Sequence, residues 1–128
     1  MANDIPAANV RLKRAYEPVE AGDGFRVLVD RLWPRGVSKK DARIDEWVKD
    51  IAPSARLRTW FGHDPARWTE FQHRYLDEIR ADPDRLAHLR ALARKGPITL
   101  VYGARDETHN DAVVLRRALL GRMRVTPG

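Results

Sequence analysis

The 128-residue sequence contains no cysteine, and that absence removes several function classes at once. Without a thiol there is no disulfide scaffold, no thiolate zinc site, no iron–sulfur cluster and no cysteine nucleophile. Long apolar runs are also missing. No stretch approaches the roughly 18 residues of a membrane span, and Met1-Ala-Asn-Asp-Ile-Pro-Ala7 has no apolar signal core. These features predict a cytoplasmic protein with no membrane partner. The phosphate loop G-x-x-x-x-G-K-[ST], the dinucleotide fingerprint G-x-G-x-x-G and the nucleophile elbow G-x-S-x-G are absent too. Nucleotide hydrolases, Rossmann dehydrogenases and α/β-hydrolases are therefore disfavoured, and no cofactor is implied.

What the chain has is charge. Lys and Arg number 24 against 18 Asp and Glu, a net +6, with a sequence pI near 10.2. The excess is unevenly placed: residues 112–128 hold four arginines (Arg116, Arg117, Arg122, Arg124) and no acid. A basic end of this kind raises nucleic-acid binding as one reading, with a solvated basic helix as the plainer one. At this length one core can bury about two-thirds of the unfolded surface. Residues 1–128 therefore read as a single α/β domain, with 1–9 and 122–128 as loosely ordered tails.

Val10–Tyr16 alternates apolar and basic residues, as an edge strand does. Arg26–Leu32 and Ile98–Ala104 contain continuous apolar β-formers and read as strands buried on both faces. About three mainly parallel strands covered by five or so helices, in three layers, is the predicted architecture. Glu17–Gly24 is too short for a helical crossover, so it reads as a hairpin or a rearranged connection. Between the inner strands, Ile44, Trp47, Val48 and Ile51 form a short helical stripe that stops at Pro53. Ser54 caps a second helix, Asp64-Pro65 and Asp82-Pro83 each open a longer one, and a last helix spans about Thr108 to Leu120. Ser38-x-x-Asp41 resembles a capping box. Of the four tryptophans, Trp47, Trp60 and Trp68 sit on helical stripes, which favours core packing over a stacking platform for bases.

Ligands of open parallel sheets bind beyond the carboxyl ends of the strands. One buried strand ends in Asp30-Arg31-Leu32-Trp33-Pro34-Arg35-Gly36, the other in Arg105-Asp106-Glu107-Thr108-His109-Asn110. Each releases a carboxylate, an arginine and a helix start into one region. Guanidinium forks and helix N-termini suit phosphate or carboxylate. Arg31, Arg35, Arg105 and Asn110 are the candidate ligand-binding residues. Asp30, His63, Asp106 and His109 are the candidate catalytic residues: a histidine moves a proton near neutral pH and an aspartate orients it. His63 stands at the tight turn Gly62-His63-Asp64-Pro65, and Asp106 lies three residues before His109. The competing structural reading makes Asp30 one half of a buried ion pair with an arginine, and His63 a turn-shaping residue. Asp30, His63, Asp106 and His109 lack the spacing of a metal-binding motif, so no metal is assigned. His73 and His88 read as exposed.

Three segments, Arg26-Val-Leu-Val-Asp-Arg-Leu-Trp-Pro-Arg-Gly36, Trp60-Phe-Gly-His-Asp-Pro65 and Thr99-Leu-Val-Tyr-Gly-Ala-Arg-Asp106 with His109-Asn110, together resemble the bacterial YeaO family, a branch of a larger group of unknown function. The likeness runs from about Val10 to Leu120. It implies a small cytoplasmic α/β domain and no established reaction. It picks out Asp30, Arg31, Trp33, Pro34, Arg35, Gly36, Gly62, His63, Asp64, Asp106, His109 and Asn110. Other branches carry cysteines near the last strand and helix; Tyr102 and Asn110 stand in that region here, so thiol chemistry does not transfer.

Three functions follow as expectations. The first is an enzyme or ligand-binding domain for an anionic small molecule. The second is a nucleic-acid accessory protein using the basic C-terminal helix, and the third is an interaction module whose motif charges are ion pairs. A homodimer is compatible with any of them and selected by none.

Overall fold

Apolar alternation along short strands sets the architecture. In the computed structural model, which describes residues 5–125, β1 (Val10–Arg14), β2 (Phe25–Leu28), β3 (Glu46–Trp47) and β4 (Ile98–Tyr102) form one sheet. Their order is β1-β4-β2-β3, and every neighbouring pair is parallel. Val10 and Phe25 both sit opposite Ile98, so the two N-terminal strands flank the last one in register. Five α-helices accompany the sheet: α1 (Lys39–Ala42), α2 (Ala55–Phe61), α3 (Trp68–Arg80), α4 (Pro83–Lys95) and α5 (Asp111–Leu119).

One face carries Val10, Val27, Ile98, Leu100 and Tyr102 into the main core, against Phe71, Tyr75, Leu89 and Leu115 of α3, α4 and α5. The other face carries Leu28 and Val101 into a smaller cluster with Ala15, Trp33, Val37 and Ile44. The α/β expectation is met, with a fourth strand in place of three. The addition is β3, which hides in the stretch that reads as a helical stripe. The carbonyls of Arg26 and Leu28 take the N–H groups of Asp45 and Val48 at 2.9 and 3.0 Å, which ties the segment to β2. The stripe then splits, Ile44 to the small cluster and Val48 and Ile51 to the main core. A 3-10 turn at Lys49–Ile51 is all the helix that remains there. Trp47 lies on the sheet edge, 37% exposed, and not in the core.

The connection from β1 to β2 is the rearranged kind: the two strands are parallel with β4 between them, and only a 3-10 turn at Ala21–Asp23 lies on the way. Charge anchors it. Lys13 Nζ donates to Pro18 O and Glu20 Oε1, both at 2.7 Å, and to Asp23 Oδ1 at 3.0 Å. Arg26 Nη1 donates to Asp23 Oδ2 at 2.6 Å, and all three charged groups other than Glu20 are buried. Gly24 then turns at φ +63°, where a Cβ would fall 2.1 Å from Pro97 O. No side chain fits that approach.

Caps set the helix starts. Ser38 accepts from Asp41 N, Ser54 from Leu57 N, and Asn110 from Val113 N. Of the tails expected to be loose, residues 1–4 and 126–128 lie outside the described residues. Ile5 is buried in the main core, Ala7–Asn9 forms a 3-10 turn, and Met123 and Val125 pack against the core. No helix among the described residues is long and apolar enough to cross a membrane.

Candidate functional site

Because all strands run parallel, their carboxyl ends open at one end of the sheet, and a cavity of about 270 Å³ lies there. Tyr16 follows β1, Asp30 to Arg35 follow β2, Gly103 and Ala104 follow β4, and Asn110 and Asp111 open α5; all reach its wall together with Arg58, Phe61 and His63.

Two carboxyls form its acidic centre. Asp30 Oδ2 accepts from Gly103 N at 2.8 Å. Gly103 permits this closeness, since a Cβ there would sit 3.3 Å from that oxygen. The Asp30 side chain is also hydrogen-bonded to that of Asp111, whose Oδ1 accepts from Ala112 N at 3.0 Å. Burial pushes the Asp30 carboxyl above the usual aspartate range, against the Gly103 N–H, the Asp111 bond and the charges of Arg58 and His63. Burial, then the neighbouring Asp30 charge, pushes Asp111 well above that range. Two acids this close cannot both ionise freely, so the pair titrates as a unit. The phenol of Tyr75, raised well above its usual value by burial, stays neutral beneath them and donates to Ile51 O at 2.7 Å.

Cations surround this pair. Arg31 is held by the carbonyls of Pro53 and Ala52 at 3.2 and 3.3 Å, with Asp50 at 3.9 Å. Arg35 is exposed at the rim, and its guanidinium makes no hydrogen bond or ion pair among the described residues; its carbonyl accepts from Tyr16 Oη at 2.9 Å. Arg58, on α2, has a buried Nε with no hydrogen-bond partner among the described residues. His63 sits at φ +55°, exposed at the cavity edge, with its ring 6.1 Å from Phe61. Asp64 turns away from it to cap Ala66 N at 3.0 Å.

The structure thus brings Asp30, Arg31, Arg35, His63 and Asn110 to one cavity. Asn110 serves there as the cap of α5, with Oδ1 accepting from Val113 N at 3.1 Å and Nδ2 donating to Asp106 O at 2.9 Å. The remaining residues of the second strand-end segment lie elsewhere. Asp106 Oδ2 meets His109 Nδ1 at 2.8 Å, Trp68 packs edge-on against that imidazole at 5.1 Å, and neither Asp106 nor His109 lines the cavity. The N–H of Thr108 and then the His109 contacts hold Asp106 below the usual carboxyl range. Arg105 is exposed and apart. With Asp30 and His63 in one place and Asp106 and His109 in another, no group of three or more potential metal ligands forms among the described residues. Among the described residues Asp30 has no arginine within ion-pair distance, so the buried Asp–Arg pair is replaced by an Asp–Asp pair. In the basic C-terminal segment, Arg116 turns inward to Val10 O and Ala7 O at 2.6 and 3.0 Å, and Arg117 to Gln72 Oε1 at 2.8 Å.

Sequence reasoning missed Asp111 and Arg58. Asp111 looks like an ordinary acid in a first helical turn; only the docking of α5 against β4 turns it toward Asp30. Arg58 carried a signal, standing three residues before Phe61 and so on the buried side of α2.

A family model described as "Inactive DUF488-N3 subclade" matches residues 9–127. The uncharacterised protein YeaO of Escherichia coli K12 is 44% identical over 107 residues, covering 84% of this chain and 93% of that protein. An uncharacterised protein of Mycobacterium tuberculosis H37Rv is 45% identical over 118 residues, covering 92% and 99%. No solved structure matches the chain.

Proposed function

The chain belongs to the DUF488-N3 subclade described as inactive, and from that premise we propose that its cavity binds a small phosphate- or carboxylate-bearing molecule without turning it over. The observation that carries this reading is Arg58. A buried guanidinium N–H with no acceptor costs about 1–3 kcal/mol or more, and an anion in the cavity supplies the acceptor. Arg35 adds a guanidinium with no partner among the described residues, and Arg31 a third positive charge, beside an acid pair whose ionisation burial holds back. The site therefore favours anions.

Catalysis is less well supported. Histidine and carboxylate pair at His109–Asp106 and at His88–Glu46, both away from the cavity, while His63 at its edge has no hydrogen-bond partner among the described residues. The test is a thermal-shift series with phosphate, sulfate and small carboxylates. A ligand at about 100 times its Kd adds roughly 2.7 kcal/mol of stability, a rise of several degrees in Tm. Arg58→Met and Arg35→Ala should each reduce that rise. A flat series in the parent protein, or full shifts in both variants, would overturn the reading.

A further inference from the structure

We infer that the ligand is a monosaccharide phosphate, recognised at its hydroxyls by Asp30 and Asp111 and at its phosphate by Arg35 and Arg58. This rests on the anion-binding reading and narrows it. A bare phosphate needs only the cations; an acid pair beside it works against binding. The pair is useful to a ligand that carries hydrogen-bond donors next to its anionic group.

The acceptors are there. The Gly103 and Ala112 N–H groups and the bond between the two acids occupy part of the pair's capacity. Each carboxyl oxygen has two lone-pair sites, so positions remain on both residues. A hydroxyl both donates and accepts, and so can pair with a carboxylate oxygen or with a protonated acid of the pair. An ammonium only donates, and so uses the carboxylate oxygens alone.

The walls agree with a sugar ring. Tyr16 and Leu32, two of the three large exposed hydrophobic residues among those described, both line this cavity. Phe61, on α2, lines it as well. Apolar surface of this kind packs against the C–H faces of a sugar, which a carboxylate or phosphate alone does not offer. The volume of about 270 Å³ lies just below the lower end of common ligand sites, enough for one ring and its phosphate.

Calorimetric titration with inorganic phosphate, ribose 5-phosphate, ribose and ethanolamine phosphate tests this. Ribose 5-phosphate should bind at least about tenfold tighter than phosphate, the worth of one or two hydrogen bonds to a charged group. The double variant Asp30→Asn/Asp111→Asn removes the negative charge and the carboxylate acceptors together. It should bind phosphate several-fold tighter and ribose 5-phosphate no tighter, so that the preference disappears. A merely electrostatic cavity would tighten both alike. If the double variant does not fold, Asp111→Asn keeps a neutral donor beside the Asp30 carboxylate and should retain the preference. Equal affinity for phosphate and ribose 5-phosphate in the parent protein would sink the sugar assignment and leave anion binding intact, as would tighter binding of ethanolamine phosphate. Absence of binding by all four would sink both.

Discussion

Asp111 is subject to two opposed influences, and the outcome sets the chemistry of the cavity. As the first residue of α5 it lies at the positive end of a helix, which favours a carboxylate by about 0.3–1 kcal/mol. Burial and the adjoining Asp30 act the other way and prevail. A raised folded pKa keeps the acid protonated while the unfolded chain ionises. Its stabilising contribution is therefore complete below about pH 4 and is lost as pH rises toward the folded pKa. Asp111→Asn removes that titration and keeps the hydrogen bonds to Asp30 and Ala112. Urea unfolding at pH 7 should show the variant more stable than the parent, since each tenfold displacement of the acid equilibrium is worth about 1.4 kcal/mol. The gap should close near pH 3. Equal stability of the two proteins at pH 7 would show that Asp111 ionises normally. Asp106, at the other side of the same turn, titrates with the opposite sign: its lowered pKa gives stability above about pH 4 that is lost on acidification.

At the level of elements, short polar caps do much of the positioning. Asn110 ties the start of α5 to Val113 N and to Asp106 O, and so fixes both the acid pair and the Asp106–His109 turn. Asn110→Ala should cost about 1–2 kcal/mol in chemical denaturation. It should also weaken anion binding, because Asp111 is the next residue; a stability loss with unchanged binding would mean that α5 holds its place by packing alone. The helix starts are legible in the sequence: Ser38 and Ser54 cap α1 and α2, Asp64 caps the 3-10 turn that leads into α3, and Asp82-Pro83 opens α4 through its proline, without a side-chain cap. The 44–51 segment is not. Its apolar spacing fits a helix, and only the unpaired carbonyls of β2, supplied by a distant part of the chain, draw it into the sheet.

At the scale of the whole molecule, the sheet holds its two faces by different means. The helical face is apolar, whereas the other combines the small Leu28–Val101 cluster with the buried charges of Lys13, Asp23 and Arg26. Asp23→Ala would leave two buried cations without their shared carboxylate. A loss of about 3–5 kcal/mol is expected, read as a fall in the urea midpoint; a loss under 1 kcal/mol would show that Glu20 and solvent compensate. This topology also explains how the site was partly legible. Parallel strands put their ends together, so Asp30, Arg31 and Arg35 follow from the strand pattern alone. Which side chains of the last helix and of α2 turn toward those ends depends on packing, and hence Asp111 and Arg58 did not follow. Similarly, Arg116 and Arg117 read as free basic charge until the fold places Val10, Ala7 and Gln72 beside them.

The most direct test of anion binding is the Nε–Hε resonance of Arg58 followed by nitrogen–proton correlation NMR as phosphate is added. A buried donor without an acceptor should shift saturably downfield as the anion supplies one, with Arg35 moving at the same midpoint. If Arg58 stays fixed while only the exposed Arg122 and Arg124 respond, the cavity is not an anion site and the account fails at its centre.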